Sequence, residues 1–311
     1  MSIVKVKNIV KRFNDKLVLD NVSYEVNEGE IFGFIGPNGA GKSTLINIMT
    51  GLLMPDSGSI EVCGYDVASE SLKAKACIGY VPQDIALLED LNAYLNLEYF
   101  GVMYGLKGSL LKERINEALE ITGLMDKKKE KVKKFSGGMK RRLNLAAGIM
   151  HHPKLLILDE PTVGVDPQSR NHIFTFIKNI TKEWGTTVIY TSHYMEEVEE
   201  LCERVFIMDL GNEIAYGDKN HIKNSVFPNN KVIVECDVVK NEILDNFREL
   251  NGVSRVWSEE KNIYMTIDDT FKLGTALSIL EAQKINIKKI SYEEPKLEDV
   301  FLALTGKKLR D

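Results

Sequence analysis

Apolar and polar positions alternate through NVSYEV, where Val22, Tyr24 and Val26 are separated by Ser23 and Glu25. That is the period of a half-buried strand. The turn NEGE (27–30) leads into IFGFIG, a second β-rich run that ends in glycine. KSTLINIMT then carries apolar residues at helical spacing, and GLLMPDSGS breaks the pattern with Gly, Pro, Asp and Ser. Residues 91–124 read as helical, because Leu111, Ile115 and Leu119 recur at i, i+4 and i+8. LLILD (155–159) and TTVIYTS (186–192) are continuous apolar or β-branched runs, as expected of strands in a parallel sheet covered on both faces.

The composition shifts near 225–230, where SVFPNN carries Pro228 and two asparagines, and a domain boundary is expected there. Beyond it KVIVECD reads as a strand, KNEILDNFREL as a helix, and VSRVW and NIYMTI as two strands. TFKLGTALSILEAQ is a helix and INIKKISY a last strand. The order is β-α-β-β-α-β in about sixty residues, that of a ferredoxin-like domain. A helix from Lys296 to about Thr305 is expected to close the pattern, and no internal repeat is visible.

The 311 residues are 44% hydrophobic and 27% charged, ordinary values for a globular chain and far from those of disordered or fibrous proteins. No apolar run approaches the roughly 18 residues of a membrane-spanning helix. The start, MSIVKVKNIV, lacks the pattern of a secretory signal. Both point to a cytoplasmic protein that could sit on a membrane partner. Forty basic against forty-five acidic side chains give a net charge of −5, which argues against a nucleic-acid backbone as main partner. Cys63, Cys77, Cys202 and Cys236 are widely separated, so reduced buried thiols are expected rather than disulfides or a zinc site.

Residues 36–44, GPNGAGKST, fit the phosphate-loop pattern: Gly36, Pro37, Asn38, Gly39, Ala40, Gly41, Lys42, Ser43 and Thr44. Small residues let such a loop wrap phosphates closely, with backbone N–H groups forming an anion nest at a helix N-terminus. Lys42 supplies a point charge to the β- and γ-phosphates, and the Ser43 hydroxyl suits Mg²⁺. A chance glycine-rich turn is the bland alternative, but a strand precedes this loop and a helix follows it. LLILDEP ends an apolar strand with two adjacent acids. At the C-terminal edge of a parallel sheet these would lie beside the phosphate loop. Asp159 suits the magnesium shell, and Glu160 a general base that polarises the attacking water.

With these two constellations the chain resembles the ATP-binding subunits of ABC transporters over residues 1–220. FSGGM (135–139) is similar to the family signature, in which a serine and two glycines contact the γ-phosphate held by the opposite protomer. Ser136, Gly137 and Gly138 match, while Phe135 and Met139 depart from the usual leucine and glutamine. Gln83 in YVPQD resembles the glutamine that senses magnesium and water and faces the membrane subunit. Asp166 in VGVDP (163–167) resembles the acidic member of a loop that crosses the dimer. His193 in YTSH sits where the family keeps a histidine on the γ-phosphate, and Phe13 in KRFND where an aromatic stacks on adenine. Taken singly, Gln83, His193 and Phe13 would be a loop residue, a structural histidine and a core aromatic.

The resemblance implies an α/β P-loop NTPase of ABC type, with a mixed-sheet core, an antiparallel β subdomain and a helical subdomain at about 84–145. Its expected span is 1–225, followed by the ferredoxin-like α+β domain and terminal helix at 229–311. It implies ATP and Mg²⁺ as ligands, a second copy in an ATP-sandwich dimer, and integral membrane permease subunits as partners. It also implies a place on the inner face of the cell membrane. KLEDVFLALTGKKLRD (296–311) is similar to the tail of ABC-2-type exporter ATPases, the drug- and antibiotic-export branch. The alternatives are an amino-acid importer with a regulatory C-terminal domain, and a soluble ABC ATPase acting on ribosomes or DNA. A single cassette and the short stretch from Lys42 to Ser136 disfavour the second. KKKEKVKK (127–134) is expected to be a solvated basic face that could neighbour anionic lipid. The stripe Tyr94, Tyr99, Phe100 and Tyr104 is expected to be mostly core, with part of it lining a docking groove.

Overall fold

The computed structural model describes residues 1–227 and 230–306. Among these, contacts divide the chain into two units, Met1–Lys219 with the residues from Leu304, and Asn220–Ala303. The first unit is built on a six-stranded sheet in the order Asn212–Asp218, Arg204–Asp209, Ile31–Ile35, Thr187–Ser192, Leu155–Asp159, Ile78–Val81. Its last five strands run parallel, and the edge strand Asn212–Asp218 is antiparallel. The β-branched and aromatic content of these runs is what a doubly covered sheet requires, and every residue of Leu155–Asp159 and Thr187–Ser192 is buried.

A second sheet is antiparallel, in the order Lys16–Asn27, Ser2–Phe13, Ser57–Val62, Tyr65–Asp66. The alternation in NVSYEV places Val22, Tyr24 and Val26 on its buried face. There Tyr24 lies 5.7 Å from Phe32 and 4.6 Å from Phe206, ring centre to ring centre, which joins the two sheets in one core. The opening residues form the long strand Ser2–Phe13, with Val4, Val6 and Ile9 in that core.

The expected helix over 91–124 is two helices, Ala93–Met103 and Gly108–Ile121, separated at residues 104–107. Gly105 takes φ 82°, which stops the first helix. Leu111, Ile115 and Leu119 do line the buried face of the second. The aromatic stripe is not core: Tyr99 and Tyr104 are exposed and Tyr94 and Phe100 half-buried, because Ala93, Asn96, Leu97 and Gly101 form the inward face. Helices Gly137–Gly148 and Pro167–Trp184 follow.

The second unit pairs Asn230–Cys236, Val253–Glu259, Asn262–Ile267 and Ile287–Glu293 in one antiparallel sheet. By order of appearance the strands lie 2-3-1-4, which is the ferredoxin-like arrangement. Helices Asn241–Arg248 and Leu273–Ala282 contribute Ile243, Phe247, Ala276 and Leu280 to a core shared with Val232, Val234, Ile263 and Met265. A helix Leu297–Thr305 follows, and residues 307–311 of the tail lie outside the described residues. All four cysteines are free thiols, but only Cys202 and Cys236 are buried. No helix among the described residues is long and apolar enough to cross a membrane.

Candidate functional site

The phosphate loop joins the C-terminal end of Ile31–Ile35 to helix Lys42–Met49, so it opens where the parallel strands end. Gly41 sits at the helix start with φ 112°, and a Cβ there would fall 2.9 Å from Leu19 Cδ2 and 3.0 Å from the Val18 carbonyl. Only glycine meets both demands. The Ala40 N–H donates to the Pro37 carbonyl at 3.1 Å, closing the loop around Asn38 and Gly39, which are exposed. Gly36, Pro37 and Ala40 are buried, Ser43 is exposed and Thr44 half-buried.

Lys42 is 6% exposed, and its ammonium folds back over the loop. Nζ donates to the carbonyls of Gly36 at 2.6 Å and Pro37 at 3.3 Å, and lies 3.6 Å from Glu160 Oε1. Burial pushes this lysine below its ordinary pKa, and the charges of Glu160 and Asp159 oppose that shift. The other Glu160 oxygen, Oε2, is 3.1 Å from His193 Nδ1. Three residues far apart in sequence are thereby joined through one carboxylate.

Glu160 itself takes φ 47°, an uncommon value for a residue with a Cβ. Thr191 on the neighbouring strand holds it there. Its hydroxyl accepts from the Glu160 N–H at 2.9 Å and donates to Asp159 Oδ1 at 2.8 Å. The Tyr80 hydroxyl reaches Asp159 Oδ2 at 3.5 Å, and burial followed by the Asp159 charge raises that phenol to about 12. Burial likewise raises Asp159 above the ordinary aspartate value, against the Thr191 hydrogen bond that lowers it.

Beneath this cluster Glu197 is buried, and one of its oxygens, Oε2, accepts three hydroxyl bonds. They come from Thr162 at 2.7 Å, Tyr190 at 2.8 Å and Ser192 at 2.9 Å. The segment after Glu160 and the turn before His193 are therefore fastened to one carboxylate.

Other residues singled out in the sequence fall elsewhere. Ser136 is exposed and caps helix Gly137–Gly148, its hydroxyl accepting from the Met139 N–H at 3.2 Å. Asp166 caps Pro167–Trp184, with Oδ1 taking the Ser169 N–H at 2.9 Å and Oδ2 the Ser169 hydroxyl at 2.7 Å. These bonds lower its pKa. The two caps adjoin, because a Cβ on Gly138 would come 2.2 Å from Ser169 Oγ and Gly137 is exposed beside it. Gln83 is exposed, two residues past Val81, which pairs with Leu158, so it projects at the strand end that carries Asp159. Arg141 donates to the Pro82 carbonyl at 3.1 Å, and Asn144 accepts from the Ala86 N–H at 3.3 Å, tying the Gln83 loop to the Ser136 helix. Phe13 ends its strand 47% exposed, with Lys11 Nζ 5.6 Å from the ring centre.

Thr191, Tyr80, Glu197, Arg141 and Asn144 escape a reading of the sequence alone. Thr191 and Tyr190 belong to a run legible only as a strand, and nothing in helix spacing marks Arg141 or Asn144 as turned towards a loop.

The loop fits a polyphosphate. Its tip is exposed, its backbone turns into a helix N-terminus, and a buried cation is held by carbonyls that a stronger acceptor could replace. For a divalent cation, the Ser43 hydroxyl and the Asp159 carboxylate are candidate donors, and a bound cation would favour the Asp159 charge that burial disfavours.

Comparison with known proteins finds relatives over nearly the whole chain. A family described as ABC transporter matches residues 19–163, and one described as ATP-binding protein DrrA1-3-like, C-terminal domain, matches 217–305. The linearmycin resistance ATP-binding protein LnrL of Bacillus subtilis (strain 168) is 44% identical, over 99% of this chain and 100% of its own length. The daunorubicin resistance ATP-binding protein DrrA3 of Streptomyces coeruleorubidus is 34% identical, over 97% of this chain and 96% of its own. Among solved structures, the dimeric post-hydrolysis ATP-binding cassette MJ0796, bound to ADP and Pi, superposes with a TM-score of 0.63 at 26% identity. It covers 69% of this chain and 98% of the cassette.

Proposed function

The chain belongs to the ATP-binding subunits of ABC transporters, and from that premise we propose how its residues divide the work of an exporter's ATPase. The family match makes it an ATP hydrolase of the ABC-2-type export branch, and the relatives in drug resistance favour that branch over an importer or a ribosome-acting ATPase. Lys42 leaves the carbonyls of Gly36 and Pro37 and takes up the β- and γ-phosphates, while residues 36–44 wrap them with backbone N–H groups. Glu160 accepts the proton of the attacking water, and His193 fixes that carboxylate and contacts the γ-phosphate. Mg²⁺ would be held by Ser43, Asp159 and Gln83 and would neutralise charge on the phosphate oxygens. Phe13 stacks on the adenine.

Ser136, Gly137, Gly138 and Asp166 act on the nucleotide of a second copy, closing an ATP sandwich. Gln83, tied through Arg141 and Asn144 to the Ser136 helix, transmits closure to membrane permease subunits at the inner face of the membrane. Nucleic acid has no part in the cycle. The division between domains is proposed at 225–229, with the C-terminal domain as an accessory to coupling.

The observation that carries this reading is the convergence of Lys42 and His193 on the two oxygens of Glu160. It is tested by phosphate release from ATP by the purified protein. Glu160→Gln is expected to lower the rate by about 10²–10⁴. An unchanged rate overturns the assignment. For direction of transport, deleting the gene should raise retention of an exported hydrophobic antibiotic. An uptake defect instead would revive the importer.

A further inference from the structure

The C-terminal sheet has one face on its helices, and the other carries side chains that are half-buried or exposed. Three rows of side chains cross that outer face, and strand register fixes each one. The middle row is Trp257, Tyr264, Ile233 and Ser291, all half-buried, with the Trp257 and Tyr264 rings stacked at 5.1 Å. On one side runs Arg255, Thr266, Lys231 and Glu293, and on the other Glu259, Asn262, Glu235 and Lys289. Among the described residues, none of those in the three rows is buried.

The signs in the two flanking rows are opposite at every charged position. Arg255 and Glu259 stand on either side of Trp257, Lys231 and Glu235 on either side of Ile233, and Glu293 and Lys289 on either side of Ser291. A two-fold axis laid along the middle row, in the plane of the interface, turns the first row of one copy onto the second row of the other. Arg255 then meets Glu259, Lys231 meets Glu235, Glu293 meets Lys289 and Thr266 meets Asn262. Trp257, Tyr264 and Ile233 meet their own copies at the centre. Such an operator reverses strand direction and gives an aligned sheet-on-sheet sandwich.

We propose that this face pairs with the same face of a second copy of the chain, with the aromatic row at its centre and the charged rows as a complementary rim. The centre is apolar and the rim polar, as in specific interfaces. Four strands about 4.8 Å apart and five residues of about 3.4 Å rise give a face of roughly 300 Å². A standard interface buries about 800 Å² per partner, so this pairing is weak and salt-sensitive. It needs no nucleotide. It would hold two chains near each other when ATP has left, which raises the effective concentration for the next closure.

The test uses the full chain without nucleotide, so its outcome does not depend on the ATP sandwich. Sedimentation is followed from about 1 to 300 µM protein, the range in which so small an interface dissociates. Wild type should self-associate with concentration, and added salt should weaken that association. Lys231→Glu with Arg255→Glu, and separately Glu235→Lys with Glu259→Lys, should each remove it, because every reversed charge meets its like. Mixing the two double variants should restore association as a heterodimer. Wild type that stays monomeric, association indifferent to salt, or lost association that mixing fails to restore would overturn the proposal.

Discussion

Glu160 and His193 face each other across 3.1 Å, from carboxylate Oε2 to ring Nδ1. Because the other Glu160 oxygen is 3.6 Å from Lys42 Nζ, the carboxylate is oriented from both sides before any nucleotide arrives. A carboxylate held in this way would lose little freedom on serving as a base towards water. The arrangement also makes each member answerable to substitution in a different way.

Lys42→Ala removes the buried cation of the phosphate loop while leaving its backbone turn, since Gly41 and the Ala40–Pro37 hydrogen bond set that turn. Tight Mg-ATP binding should be lost. Arginine should be a poor replacement, because a planar fork cannot occupy a space shaped around a compact ammonium. Titration with a fluorescent ATP analogue checks this. A folded Lys42→Ala protein with near-normal turnover would exclude the phosphate-loop role.

Asp159 gives a pH-dependent prediction. Its folded-state pKa is raised by burial, so the stability linked to it is fully present below the unfolded value of about 4 and is lost as pH rises through the folded value. At neutral pH the ionised carboxylate therefore weakens the nucleotide-free fold. Asp159→Asn keeps an acceptor for the Thr191 hydroxyl and should raise the nucleotide-free Tm at neutral pH. The gap should close as the pH falls towards about 4. Mg-ATP should stabilise wild type more than the variant. Calorimetric Tm values across pH decide it, and a variant less stable than wild type at neutral pH would count against a strained charge.

Glu197 predicts a positional effect. Alanine leaves the hydroxyls of Thr162, Tyr190 and Ser192 without their shared acceptor, a loss of about 2–4 kcal/mol in urea unfolding. Glutamine keeps one oxygen acceptor and should lose less than half of that. Because Ser192 precedes His193 and Thr162 follows Glu160, kcat for ATP should fall further than ATP affinity. Equal losses for Ala and Gln would mean that the charge, not the acceptor, is what these hydroxyls need.

The nucleotide motifs are legible in the sequence because phosphate chemistry prescribes local strings: GPNGAGKST needs small residues and a lysine at fixed spacing. The ferredoxin-like order is legible for a related reason, since short runs such as NIYMTI carry the two-residue period without interruption. Thr191 is not legible, because its role depends on a strand brought from 31 residues away. Nor is Glu197, because a helix residue gathers Tyr190 and Ser192 of the preceding strand with the distant Thr162. The break at Gly105 is also missed: helical spacing on either side of a short interruption adds up to one apparent helix.

The two caps, Ser136 and Asp166, lie together at exposed helix starts, apart from the Lys42 cluster in their hydrogen bonding. On the proposed function, one phosphate loop and one exposed signature would meet on one nucleotide by pairing with a second copy. Glu160→Gln keeps the shape of the site and removes the carboxylate that would take a proton from water, while Lys42, Ser43 and Asp159 remain to hold the nucleotide. The variant should therefore accumulate as an ATP-bound dimer that wild type forms only briefly. Adding Ser136→Arg should prevent that dimer, because a bulky cation would fill the space of the facing γ-phosphate, while ATP binding to each chain persists. Size-exclusion chromatography with light scattering, with and without Mg-ATP, reads both outcomes. Working well below the concentrations at which the C-terminal sheets associate keeps that contact out of the measurement. A Glu160→Gln protein that stays monomeric while saturated with ATP would rule out the self-paired sandwich and require a different partner subunit.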